Sequence, residues 1–149
     1  MTGFRLFEVL SFTVGTVFRN GEVVPKIGLT PRHMKGHYGK TRWVPVVPEL
    51  KRAIERQLSW LRLRYELTPD IPLFPSRESG EGGDFKPLSL RMGRNIIKAA
   101  FAKARIEDDG RLGLHSLRKT WAMNLLRASG NNTLLVQGVA DDYSVAFLR

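Results

Sequence analysis

Apolar side chains recur at helical spacing in four long stretches of this chain and at alternate positions between the first two. Phe4, Phe7 and Leu10 open the sequence at intervals of three, which predicts a helix running from the cap-like Thr2 to Leu10. Leu50, Ile54, Leu58, Leu61 and Tyr65 form one stripe behind Pro48. Proline suits a first helical turn, so a helix is predicted over 48–65. A third is predicted over 88–104, with Met92, Ile96, Ala100 and Ala104 inward and Arg91, Arg94 and Lys98 along a polar face. A fourth, over 114–128, lines up Leu114, Leu117, Trp121, Leu125 and Ala128 and stops at Gly130, a C-cap. Asn132 or Thr133 begins a short final helix over 134–139, and the pattern predicts no element for residues 140–149.

Between residues 13 and 48 the period drops to two. Thr16-Val17-Phe18 leads into Asn20-Gly21, a dipeptide that favours a two-residue hairpin. Glu22–Val24 and Lys26–Leu29 continue as strand, with Pro25 consistent with an edge. A second turn at His37-Tyr38-Gly39-Lys40 precedes Thr41-Arg42-Trp43-Val44-Pro45-Val46, which alternates polar and apolar. Lys35, Lys40 and Arg42 cluster at the tip of that hairpin, where they are placed to reach a ligand or simply to be solvated. Residues 68–87 read as a loop rich in Pro and Gly, whose Ile71–Pro75 stretch packs on the core. The fold class is α+β, mainly α.

Composition narrows the function. The chain of 149 residues is 42% apolar and 26% charged, the make-up of one globular domain. Its 24 Lys and Arg against 14 Asp and Glu leave a net charge of +10, which points to a polyanionic partner, nucleic acid first. There is no cysteine, and His33, His37 and His115 are not set in a zinc-binding spacing. No carboxylate cluster suits magnesium, no apolar run spans a bilayer, and no signal-peptide pattern opens the chain. The expectation is a cytoplasmic protein with no cofactor, no metal and no membrane partner.

Two pairs of residues carry candidate chemistry. His115 and Arg118 stand three apart, on one face of the fourth helix. Such a pair sets a proton-transfer group beside a bidentate anion clamp, which phosphate chemistry can use without a metal. It is also a common solvated pair. Arg5 and Glu8 are likewise three apart. As a surface ion pair they contribute a few tenths of a kcal/mol, ~0.3, yet Arg5 sits among apolar neighbours, where an arginine needs a specific partner.

In order and spacing these segments resemble the catalytic domain of the tyrosine recombinases, the phage-integrase family. Thr2-Gly3-Phe4-Arg5-Leu6-Phe7-Glu8-Val9-Leu10 is similar to that family's TGxRxxEhh box. Lys35-Gly36 through Gly39-Lys40-Thr41-Arg42-Trp43-Val44-Pro45-Val46 resembles its lysine hairpin ending in R-x-V-P. Leu114-His115-Ser116-Leu117-Arg118-Lys119-Thr120-Trp121-Ala122 resembles its HxLRHT-F-A box, and Gly130 through Gln137 its usual continuation. The resemblance implies a helical catalytic domain with a small antiparallel three-stranded sheet near its N-terminus. It implies site-specific recombination of double-stranded DNA, in company with other recombinase protomers bound there, by way of a phosphotyrosyl intermediate.

The roles implied are then specific. Arg5 and Arg118 clamp the non-bridging phosphate oxygens. Lys35 is the general acid for the leaving 5′-oxygen, with Lys40 the alternative because the hairpin is longer than usual, and His115 assists proton transfer at the nucleophile. Glu8 supports Arg5 rather than acting itself, and Lys40, Arg42 and Lys119 contact DNA. Two departures stand against these matches. Asp142 falls where the family places a phosphate-holding histidine, and the nucleophilic tyrosine is expected about two to three helical turns further on, past Arg149. Tyr143 comes too early; Tyr38 and Tyr65 lie in the wrong segments. The expectation is a single, partial catalytic domain over 1–149, lacking the family's N-terminal DNA-clamping domain and impaired in strand cleavage. The alternative is a non-catalytic DNA-binding remnant or regulator; an RNA-associated basic protein is a third reading.

Overall fold

The computed structural model describes residues 3–31, 41–77, 85–106, 113–133 and 136, with Leu114 and His115 described by their backbone alone. The chain divides into two compact units, residues 6–93 and residues 94–149 together with residues 1–5.

The larger unit begins with helix α1 (Leu6–Leu10), which is shorter than its apolar pattern predicts. Gly3 has φ +67°, a left-handed conformation that ends any helix on its N-terminal side. A one-turn helix, α2 (Val14–Val17), follows where Thr16-Val17-Phe18 predicted a strand. Tertiary hydrogen bonds override the β-branched composition. The Val14 and Gly15 N–H groups donate to the Ile71 and Pro69 carbonyls at 2.8 and 2.9 Å, and the Thr13 N–H donates to Thr16 Oγ1 at 3.2 Å. The orphan donors of a first turn are thereby satisfied.

Strands β1 (Phe18–Arg19) and β2 (Glu22–Val23) pair antiparallel around Asn20 and Gly21, whose φ values of 51° and 82° are those of the expected type I′ turn. Strands β3 (Lys26–Leu29) and β4 (Arg42–Pro45) form a second antiparallel ribbon, with Ile27 opposite Val44, Gly28 opposite Trp43 and Leu29 opposite Arg42. The sheet structure is small, antiparallel and near the N-terminus as expected. Among the described residues its strands join as two ribbons rather than one three-stranded sheet.

Helix α3 (Pro48–Arg62) follows its stripe: Ile54, Leu58 and Leu61 are buried and Leu50 and Tyr65 half-buried. The loop beyond it packs inward, with Ile71 and Leu73 buried. Besides the bonds from Val14 and Gly15, the Leu73 N–H donates to the Phe12 carbonyl and Gln57 Nε2 to the Leu73 carbonyl, each at 2.8 Å. Tyr65 and Phe85 meet edge to face at 5.2 Å.

Helix α4 (Leu90–Lys103) exists as predicted but is turned about its axis. Met92 and Ile96, expected inside, are 43% and 52% exposed, and Ala100 and Ala104 are exposed as well. The inward line is instead Gly93, Ile97 and Phe101. A Cβ on Gly93 would lie 3.1 Å from Leu6 Cδ2 and 3.2 Å from Leu10 Cδ1, so the helix comes closest to α1 where it has no side chain.

Helix α5 (Leu114–Ala128) is turned by a similar amount. Arg118, Ala122 and Leu126 are its buried positions, Leu117, Trp121 and Leu125 are half-buried, and Ala128 is exposed. Ala122, Leu126 and Val136 form a small core with Trp121 and Leu125 against it. The helix stops as predicted at Gly130, φ +65°. The Asn131 N–H donates to the Leu126 carbonyl at 2.9 Å and the Gly130 N–H to the Arg127 carbonyl at 3.2 Å, the paired bonds of a Schellman cap. Thr133 is helical again; of the residues from 137 on, none is among those described.

Candidate active site

The smaller unit is organised by the first turn of α5. The Gly113 N–H donates to Ser116 Oγ at 3.2 Å, and the Ser116 N–H returns to the Gly113 carbonyl at 2.9 Å. This reciprocal pair fixes the start of the helix by the logic of a capping box. His115 is the second residue of α5, and its side chain lies outside the description. Arg118 follows one turn later on the same line as Ala122 and Leu126, and it is only 6% exposed. A permanently charged, five-donor group is thus held among packed side chains near the positive end of the helix dipole. Both features favour an anion there. Lys119, the next residue, is exposed.

Arg5 is brought into the same unit by an aromatic contact. A Cβ on Gly3 would lie 2.6 Å from both Cε3 and Cζ3 of Trp121, so the backbone at Gly3 runs directly against that indole. Trp121 is three residues beyond Arg118 on α5. Phe4 is buried and Arg5 half-buried beside it in sequence. Gly3 and Trp121 therefore pack together within the smaller unit, and the missing side chain at Gly3 is what lets that backbone approach the indole.

Glu8 and Arg42 belong to the larger unit and are found in an arrangement the sequence reading missed. Arg42 Nη2 donates to Glu8 Oε2 at 3.1 Å, and the two side chains are 6% and 1% exposed. Arg42, expected at an exposed hairpin tip as a DNA contact, is instead inside, anchoring the base of the hairpin to α1. Burial of a charged pair is stable only when geometry compensates the lost hydration. The signal was present: β4 alternates, so Arg42 shares the face of Val44, which is buried, while Trp43 and Pro45 share the exposed one. The lysines of the hairpin, Lys35 and Lys40, lie outside the described residues, as do Tyr38, Asp142 and Tyr143.

Among the described residues no group of three His, Asp or Glu side chains converges as a metal site, and no helix is long and apolar enough to cross a membrane.

The sequence pattern of the phage integrase family matches residues 1–140 of this chain. Among solved structures, the fold is similar to the crystal structure of XerA recombinase, with 25% identity and a TM-score of 0.72 over 97% of this chain. The likeness covers 45% of the XerA chain, so this chain spans less than half the length of that protein. No curated sequence matches it.

Proposed function

The chain belongs to the phage integrase family, and from that membership we propose that it carries the phosphate-clamping part of a DNA breaking-and-rejoining site. Arg5 and Arg118 hold the non-bridging oxygens of a scissile phosphate, where charge develops in a five-coordinate transition state. Arginine suits that task because its planar fork donates two parallel bonds and never loses its charge. Lys35, with Lys40 as the alternative, protonates the leaving 5′-oxygen, and His115 handles the proton at the attacking oxygen. Lys119, exposed one residue after Arg118, contacts the DNA backbone. Glu8 and Arg42 steady the base of the hairpin rather than touching DNA. The family match across 1–140 runs through both units, which supports reading the chain as one partial catalytic domain.

The observation that carries the proposal is the burial of Arg118, 6% exposed at the start of α5, in the same compact unit as Arg5, whose near neighbour Gly3 packs on Trp121. The partner is double-stranded DNA, and the activity of the family is site-specific recombination. Among Tyr38, Tyr65 and Tyr143 this reading assigns no nucleophile, and it is confined to the phosphate clamp and its proton-transfer groups.

The test compares Arg118→Ala and Arg118→Lys with Arg62→Ala in binding duplex DNA and orthovanadate. Both Arg118 variants are expected to weaken vanadate binding at least tenfold, the lysine variant because charge remains but the bidentate fork is lost, while Arg62→Ala leaves it unchanged. Far-UV circular dichroism separates this from unfolding. Equal effects at the two arginines refute the assignment.

A further inference from the structure

We propose that a cleft beside the β3–β4 ribbon is a second anion site, built to take a nucleotide with its phosphate between Arg19 and Lys26 and its base on Trp43. The cleft lies wholly within residues 6–93 and has a volume of about 560 Å³, within the range of roughly 300–1,000 Å³ common for small-molecule sites. The ribbon and its ends contribute Lys26, Gly28, Leu29, Thr30, Thr41 and Trp43 to the lining of the cleft. The corner of α1 and α2 and the end of β1 wall it. Nothing in it depends on Arg118.

The charge of the cleft is one-sided. Arg19 Nε donates to the Gly15 carbonyl at 2.8 Å, which fixes the guanidinium and leaves its two terminal amino groups as a fork. Lys26 is exposed and forms no ion pair among the described residues. Glu22 stands opposite Arg19 across the β1–β2 ribbon but makes no ion pair with it, and no carboxylate lines the cleft. Two cations in a cleft whose lining holds no carboxylate select a phosphate over a cationic or neutral group.

The second observation is aromatic. Trp43 is 60% exposed, and its ring lies flat on Gly28, where a Cβ would sit 2.8 Å from Cζ3 and 2.9 Å from Cη2. The glycine seats the indole against the ribbon with its other face open beside the cations. An open indole face beside cations is the pairing that stacks a base while its phosphate is held. The same chemistry is offered by a free nucleotide and by one nucleotide of a DNA single strand.

The experiment titrates the 149-residue protein with deoxyadenosine 5′-monophosphate, deoxyadenosine and a ten-nucleotide single strand, reading tryptophan fluorescence. Saturable quenching by the monophosphate is expected, absent in Trp43→Phe and at least fivefold weaker in Lys26→Ala and with deoxyadenosine. A strand that binds ten times tighter than the monophosphate identifies DNA as the source; equal affinities identify free nucleotide. Quenching that never saturates, or that Lys26→Ala leaves unchanged, overturns the inference. Lys26 is exposed, so that variant keeps its fold. Duplex binding measured on the same samples keeps the two readings apart: if it persists while the cleft stays empty, only this inference fails.

Discussion

Gly3 shows how much one residue can decide. Its φ of +67° excludes most side chains, and Trp121 occupies the space a Cβ would need. Gly3→Ala should therefore cost more than the ~1–2 kcal/mol of a left-handed residue, because the indole must also move, and vanadate binding should weaken with it. Gly21 is the control: φ is +82° but nothing lies within 4 Å of its Cβ position, so Gly21→Ala should lose about 1 kcal/mol in urea unfolding and leave vanadate binding unchanged. The buried Glu8–Arg42 pair makes a different prediction. Glu8→Ala leaves a buried guanidinium without that carboxylate and should cost about 3–5 kcal/mol, whereas replacing both partners with Leu and Met should recover most of the loss. Urea midpoints of the two variants check this. A double variant no more stable than Glu8→Ala would show that the pair is needed as a pair.

At the scale of the element, periodicity located the helices and was less exact about which way they face. The stripe of α3 lies where Leu50, Ile54, Leu58, Leu61 and Tyr65 place it, and its charged positions Lys51, Arg52, Glu55, Arg56 and Arg62 all stay exposed. In α4 the residues are mostly small or apolar on two sides, and the helix turns toward its glycine. Ile96, 52% exposed, should accept Ala within about 0.5 kcal/mol. Leu58, 1% exposed, should lose roughly 2–5 kcal/mol as Ala. Thermal unfolding of both variants tests the rotation; a large loss at Ile96 would restore the inward line through Met92 and Ile96. In α5 the offset has a chemical cause: the pattern treats arginine as an outward residue, yet Arg118 lies on the buried line with Ala122 and Leu126.

For the molecule as a whole, charge is the governing quantity. A net charge of +10 should give duplex DNA affinity that falls steeply with salt, by ~10³–10⁵ between 50 and 200 mM if six to ten phosphates are contacted. Fluorescence anisotropy at several salt concentrations measures the slope, and no binding even at low salt would sink the proposed function. Run on a denaturing gel, the same mixtures should show no covalent protein–DNA species. An adduct mapped to Tyr143 would assign the nucleophile to that residue.

The sequence by itself determined the three long helices, the Asn20-Gly21 hairpin, the Gly130 stop and the family, because each is written in local spacing and in short motifs that need no distant partner. It also named Arg5, His115 and Arg118 as a candidate set. Only the tertiary structure decided which faces are buried and who pairs with whom. Thr16-Val17 becomes helical because the carbonyls of Pro69 and Ile71 take its turn's N–H groups. Arg42 turns inward because Glu8, thirty-four residues earlier, meets it there. Gly3 is required because Trp121 lies against it. Each of these depends on a contact between residues far apart in the chain, and periodicity carries no information about such contacts.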